Sequence, residues 1–279
     1  PTRRSAVVVD DFAQVPLARD ESAWMETIIA RCQQHHIDVI FPLTDSEVDV
    51  LSAHRHRLPP GVQAGIMSAD AVSLCRDKYA WFEQLCDHPR IRPLPGQRLS
   101  DWTRSANTTF PVVLKPRNGR SSEGLRTIYS AEELLETRSR LHADDWIVQP
   151  KVPGDIYTVD IVRQESSGQW AAVARKELIR TSNGAGISVE AIPDAALCET
   201  AALVAQALGT NGCFNMEFIG NPDGYFLMDI NPRFSAGVEF SLKAGYDVVN
   251  NHLRCFGQDI IHPPRPYQTA FYTRHYVAE

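Results

Sequence analysis

CFNMEFIGNPDGYFLMDINPR, residues 213–233, is the stretch on which the reading of this chain turns. Phe214, Met216 and Phe218 alternate with Asn215 and Glu217; further on, Phe226, Met228 and Ile230 alternate with Leu227, Asp229 and Asn231. Period-2 alternation puts each set on one face of a pleated strand. Pro222-Asp223-Gly224 suits a three-residue hairpin loop, with Pro fixing φ at the first position and Gly taking the left-handed third. That loop sets Asn221 against Tyr225, so Glu217 is expected opposite Asp229 and Asn215 opposite Asn231. A two-residue loop would send Asp229 to the other face.

Carboxylates directly across a strand pair repel, so a cation is expected between them, and removing one charge is expected to leave stability unchanged or raise it. Carboxylate and amide oxygens are hard ligands, and Mg²⁺ is usually held by one or two carboxylates plus substrate phosphates. A solvated hairpin face that happens to carry two acids accounts for the same pattern. Asn231-Pro232-Arg233 favours the site, because it adds an amide oxygen and a cation at the same end.

DINPRFSAG after a hairpin with an acid on its first arm resembles the signature of the ATP-grasp superfamily, in the branch of the carbamoyl-phosphate synthase large subunit and the carboxylate–amine ligases. The likeness runs over about 39–246. It implies α/β and α+β architecture: two α+β lobes around MgATP, behind an incomplete N-terminal α/β domain. It implies Glu217, Asp229 and Asn231 as metal ligands, with Asn231 and Arg233 beside the transferred phosphate. ATP and Mg²⁺, or Mn²⁺ in its place, are the implied cofactors. The implied chemistry is an ADP-forming ligation of a small-molecule carboxylate to an amine through an acyl phosphate. Phosphorylation of bicarbonate or carbamate, or nucleotide binding without catalysis, are the alternatives. Asp229 stands where many members have Glu.

The chain has 279 residues, 43% hydrophobic and 22% charged, the make-up of a globular protein. A net charge of −6 argues against a general nucleic-acid binder. No apolar run approaches the ~18 residues of a membrane span and no signal-peptide pattern opens the chain, so a cytoplasmic protein is expected. A homodimer is compatible with the resemblance. Six scattered cysteines without CxxC spacing read as reduced thiols, several of them core; neither they nor the nine His suggest a zinc site.

In chain order, 6–10 and 37–42 read as strands, with helices over 20–35 and 48–58. Strands alternating with helices imply a parallel sheet. The family's opening strand–Gly-turn–helix is not in this sequence, so that sheet is expected to lack its first strand. Ser68 caps a helix expected to run to about 86. Within it Asp77-Lys78 matches the family's pair whose cation reaches ATP, though a surface ion pair reads equally well. Residues 90–95 form a Pro-rich linker. A strand over 110–116 ends on Lys115, which the resemblance sends to the phosphates. The loop 117–124 reads as a lid expected to be poorly ordered without nucleotide, and a flexible turn would read the same. It is no P-loop, since GxxxxGK[ST] is absent.

The strand 146–152 corresponds to the adenine hinge, with Gln149, Pro150, Lys151 and Val152 around the base. The family's ribose Glu is replaced by Ile156, next to Asp155. A hairpin over 157–162 and 170–179 carries Arg175-Lys176 close to its end, followed by Asn183-Gly184-Ala185-Gly186-Ile187-Ser188; the resemblance assigns this stretch to substrate and phosphates, and an exposed strand charge is the other reading of Lys176. Asp194 caps a core helix stopped by Gly209. A further helix is expected after Gly237, its N-terminus towards anionic substrate groups. The expected domains are 1–68 (pre-grasp), 69–152 (first lobe with its linker helix) and 153–279 (second lobe with the metal hairpin).

Overall fold

The structure, a computed structural model, describes residues 9–104, 108–120, 123–182, 184–257 and 259–275. The chain forms two compact units, 1–66 and 67–279.

In the first unit helix α1 (Glu21–His35) starts at Asp20, whose side chain accepts from Ala23 N, and buries Trp24, Met25 and Cys32. Strand β1 (Val39–Ile40) pairs in parallel with β2 (Gln63–Ala64), as the alternation of elements implied. The strand is two residues rather than six: β2 offers only two partners, and Pro42 has no N–H to extend the ladder. Helix α2 (Asp45–His54) begins three residues earlier than expected, because Thr44 and Glu47 form a reciprocal capping box there. Of the strand expected over 6–10, Ala6 to Val8 lie outside the described residues, and Val9 and Asp10 form an exposed bend.

In the second unit the single helix expected over 68–86 is two, α3 (Ala69–Arg76) and α4 (Lys78–Leu85). Asp77 breaks it. Its backbone is extended (φ −88°, ψ 102°), and Oδ1 accepts from Tyr79 N and Ala80 N, so it ends one helix and caps the next. A four-stranded antiparallel sheet follows, in the order β3-β6-β4-β5, from β3 (Gln97–Arg98), β4 (Val112–Pro116), β5 (Arg126–Ile128) and β6 (Trp146–Pro150). Helix α5 (Ala131–Arg138) buries Leu134 in the core that this sheet forms with Leu99, Trp102, Val112, Leu114, Ile128 and Val148.

The larger sheet has six antiparallel strands in the order β11-β10-β7-β8-β9-β12. Its members are β7 (Asp155–Arg163), β8 (Trp170–Arg180), β9 (Gly186–Ile192), β10 (Gly212–Asn221), β11 (Gly224–Asn231) and β12 (Ala270–Thr273). Helix α6 (Ala195–Ala207), between β9 and β10, packs on β7 and β8. Helices α7 (Val238–Lys243) and α8 (Val248–Arg254) cover the opposite face, where Val162, Ala171, Val173, Ala191, Cys213, Phe234, Tyr246 and Val248 are buried together. All six cysteines are free, and four are buried.

Candidate functional site

Register decides which charges meet. In the β10–β11 hairpin Asn215 pairs with Asn231 and Glu217 with Asp229, but Asn221 pairs with Gly224. The loop is therefore two residues, Pro222-Asp223, not three. An uninterrupted ladder from that loop would put the two acids on opposite faces. The ladder shifts by one residue beyond Glu217, where Phe218 pairs with Leu227 and Met228 is left over. This bulge restores the facing pair. Lys115 Nζ donates to the carbonyl of that same Met228, at 3.2 Å.

The row continues across the sheet as Asp229–Glu217–Thr158–Arg175, since opposite residues of an antiparallel pair share a face. Two residues along run Asn231, Asn215, Asp160 and Val173, and beyond them Cys213, Val162 and Ala171. One face thus passes from an apolar floor under α7 and α8 to a charged end.

Two cations of the chain lie beside the pair. Arg180 Nη2 donates to Glu217 Oε1 at 2.7 Å, and Lys78 Nζ lies 3.3 Å from Asp229 Oδ1. Lys78 is the first residue of α4, placed there by the break at Asp77, and its Nζ also donates to Gly119 O at 2.8 Å. Asp77 is fixed in turn by Arg117, whose Nε reaches Oδ1 at 3.1 Å. Burial raises the Asp77 carboxyl, but the Arg117 hydrogen bond and the Ala80 and Tyr79 N–H groups more than offset it, leaving it below its ordinary value. Lys115, 8% exposed, is lowered by burial to about 8, against the pull of Asp229. Burial pushes the Glu217 carboxyl up; Arg180 opposes this and Asp229 adds to it.

Asn231 Nδ2 donates to Asn215 Oδ1 at 3.1 Å, a bond that does not use the Asn231 amide oxygen, and Asn215 Nδ2 donates to Arg233 O at 3.0 Å. Arg233 Nη1 donates to Phe234 O at 3.1 Å.

Other candidates lie apart from this cluster. Lys176 pairs with Tyr157 in the ladder, one residue out of step with the Thr158–Arg175 row, so it belongs to the opposite face. There it bonds Asp155 at 2.7 Å. The cation of β8 that is buried on the acids' side is its neighbour Arg175. Its Nη1 reaches Asp160 Oδ2 at 2.6 Å, Nε reaches Glu177 Oε1 at 3.1 Å, and Nη2 reaches Ser235 Oγ at 3.0 Å. Gln149 turns inward, its Nε2 donating to Leu94 O at 3.1 Å, and the Lys151 N–H is taken by Pro111 O. Pro150 and Lys151 are exposed, Val152 is half-buried, and Ile156 pairs with Ile219 in the sheet. Ser121, Ser122 and Asn183 lie outside the described residues. Helix α7 is only six residues long and its first N–H groups have no side-chain cap.

The sequence reading named Arg175 only beside Lys176, which it preferred, and it missed Arg180. Arg175 was legible in principle, because alternation along β8 sets it beside Thr158 once the register of the β7–β8 pair is known. Arg180 carried no local signal; it meets Glu217 only through the order of the strands.

A family model described as ATP-grasp in the biosynthetic pathway with Ter operon matches residues 142–274, and one described as PylC-like, N-terminal domain matches residues 2–64. The chain is 24% identical over 180 residues to the carbamoyl phosphate synthase large chain of Saccharolobus solfataricus, covering 57% of this chain and 17% of that one. It is 25% identical over 154 residues to the 3-methyl-D-ornithine--L-lysine ligase of Methanosarcina acetivorans, covering 54% of this chain and 40% of that protein. A solved biotin carboxylase domain dimer of the Hydrogenobacter thermophilus 2-oxoglutarate carboxylase, in complex with MgADP, ADP and bicarbonate, matches with a TM-score of 0.74 at 16% identity, over 95% of this chain and 63% of that one. The fold is ATP-grasp, behind an N-terminal domain of the PylC-like kind. The chain resembles the carbamoyl-phosphate synthase and carboxylate–amine ligase branch of the ATP-grasp proteins, spanning less than half the length of both curated relatives. Among the described residues no helix is long and apolar enough to cross a membrane.

Proposed function

We propose that the protein is an ATP-dependent ligase that phosphorylates a small-molecule carboxylate and couples it to an amine. The observation that carries this reading is the facing pair Glu217–Asp229, with Asn231 beside it and Lys78, Lys115 and Arg180 around it. The donor set suits Mg²⁺: two carboxylates and an amide are hard oxygen ligands, and Glu217 is a part-buried acid that a nearby cation would keep ionised. Among the described residues no group of three or more His, Cys, Asp or Glu could hold a metal ion, so phosphate oxygens and water would complete the shell, as Mg²⁺ ordinarily requires.

ATP would supply the phosphoryl group, and Mg²⁺ would neutralise the charge that develops on its oxygens. Glu217, Asp229 and Asn231 would hold the metal. Lys115 and Lys78 would face the phosphates from the smaller sheet and from α4, and Arg233 would stand at the transferred group. Gln149, Pro150, Lys151 and Val152 would line the base through backbone atoms. Asp155 and Lys176, paired on the far face, would serve the nucleotide only from the edge of β7 and β8. A carboxylate oxygen of the substrate attacks the γ-phosphorus and ADP leaves; the amine nitrogen then attacks the acyl carbon and phosphate leaves. No general acid or base is needed for the first step, which fits a site of acids and cations held in line. In this scheme 69–152 and 153–279 act as two lobes that close on nucleotide, with 1–68 as the pre-grasp domain.

The test is ADP release with pooled amino acids and Mg²⁺, set beside nucleotide binding. Turnover that needs the pool supports the ligase; binding without turnover would favour a protein that keeps the fold and has lost the chemistry. Lys115→Met probes the phosphate role. Met replaces the buried stem at similar volume and relieves the desolvated charge, so melting temperature is expected to stay nearly constant while MgATP affinity falls about tenfold or more. A lower melting temperature with unchanged affinity would make Lys115 structural.

A further inference from the structure

Glu217 and Asp229 each hold a protein cation, and the two are held differently. Lys78 Nζ is fixed between Asp229 and the carbonyl of Gly119, with its side chain 8% exposed. Arg180 comes from farther away. It is the last residue of β8 and reaches Glu217 on β10, two strands away in the sheet order. Its Nε donates to Gly184 O at 2.8 Å, so one arm of the guanidinium rests on the loop after β8 and the other on the carboxylate. The side chain is 24% exposed, so packing does not lock it in place.

We infer that Arg180 is a resident counter-ion that occupies Glu217 in place of the divalent cation and gives way only when metal arrives together with nucleotide phosphates. The inference rests on the metal-site reading above. Lys78, Lys115 and Arg180 set three positive charges against the two carboxylates. Glu177, whose charge also acts on Glu217, already bonds Arg175. To take a free divalent cation, this cluster would have to accept two further positive charges on groups that are already neutralised. A metal–nucleotide complex is different: it carries net negative charge, and its phosphate oxygens suit the fork of a guanidinium released from Glu217. Arg180 is thus a positioning residue. It keeps the Glu217 carboxylate aimed in the ligand-free protein, and it biases the site against metal that comes alone.

The experiment is Mn²⁺ titration of the full chain followed by electron paramagnetic resonance, first without nucleotide and then with a non-hydrolysable ATP analogue. Wild type is expected to take up little Mn²⁺ alone and to take it up with the analogue. Arg180→Gln is expected to bind Mn²⁺ alone about fivefold more tightly, the worth of one competing part-exposed ion pair. Arg180→Lys keeps the charge and should behave as wild type; adding Asp229→Asn to Arg180→Gln should abolish the gain. Equal nucleotide-free uptake by wild type and Arg180→Gln, or a gain in Arg180→Lys as large as in Arg180→Gln, would overturn the inference and leave the metal site standing. Uptake with the analogue that ignores Asp229→Asn would remove the metal site, and the inference with it.

Discussion

Arg175→Met is expected to lower the melting temperature by roughly 10 °C. Arg175 is 2% exposed and bonds both Asp160, which is fully buried, and Glu177. Removing the cation leaves two uncompensated carboxylates in the interior, and breaking a buried pair in this way costs about 3–5 kcal/mol. For a unit of this size each kcal/mol moves the melting temperature by about 2–4 °C. The buried acids already lack partners in places: Asp160 Oδ1 and Glu177 Oε2 have none among the described residues. Arg175→Lys should recover only part of the loss, since an ammonium cannot direct three bonds to Asp160, Glu177 and Ser235 at once. Arg175→Met combined with Asp160→Asn should be more stable than Arg175→Met alone. Calorimetry or circular dichroism melts read all three; an Arg175→Met protein as stable as wild type would show that the network contributes little.

Asp229→Asn is expected to cut ADP formation about a hundredfold or more, the usual effect of losing one preorganised charge contact, worth ~3 kcal/mol of barrier. It should also erase the rise in melting temperature that MgATP gives wild type. Its effect on the ligand-free protein is where the structure changes the expectation. Two facing carboxylates alone would make the loss of one neutral or favourable. Lys78, nearly buried 3.3 Å from Asp229, would instead lose that counter-charge while keeping Gly119 O, so a fall of about 2–4 °C is expected, roughly 1 kcal/mol. An Asp229→Asn protein that melts far lower and still turns ATP over would mark Asp229 as structural.

The facing of Glu217 and Asp229 was legible in the alternation of residues 213–231, yet the route to it was not. The sequence reading reached the register through a three-residue loop, whereas the chain uses two residues and a bulge at Met228. A loop and a bulge each shift parity by one, and parity is all that alternation reports. Asp77 lies inside a helical pattern, and nothing local says whether such a residue breaks the helix. Its pairing with Arg117, forty residues away, favours the break. For the same reason Lys176 drew attention that its neighbour Arg175 merited. Both sit on one strand as adjacent cations, and only the register with β7 says which shares a face with the acids. Arg180 was the least visible, because its partner lies on a strand that is not its neighbour in the sheet.

Isotope transfer tests most directly whether ATP is spent on activating a carboxylate. Amino acids labelled with ¹⁸O in the carboxylate, supplied with MgATP and the wild-type chain, should yield inorganic phosphate carrying one ¹⁸O from the acid, because the bridging oxygen of an acyl phosphate leaves with phosphorus when the amine attacks. Phosphate whose new oxygen comes only from water, at the same rate with and without amino acids, would contradict the ligase and show simple hydrolysis instead.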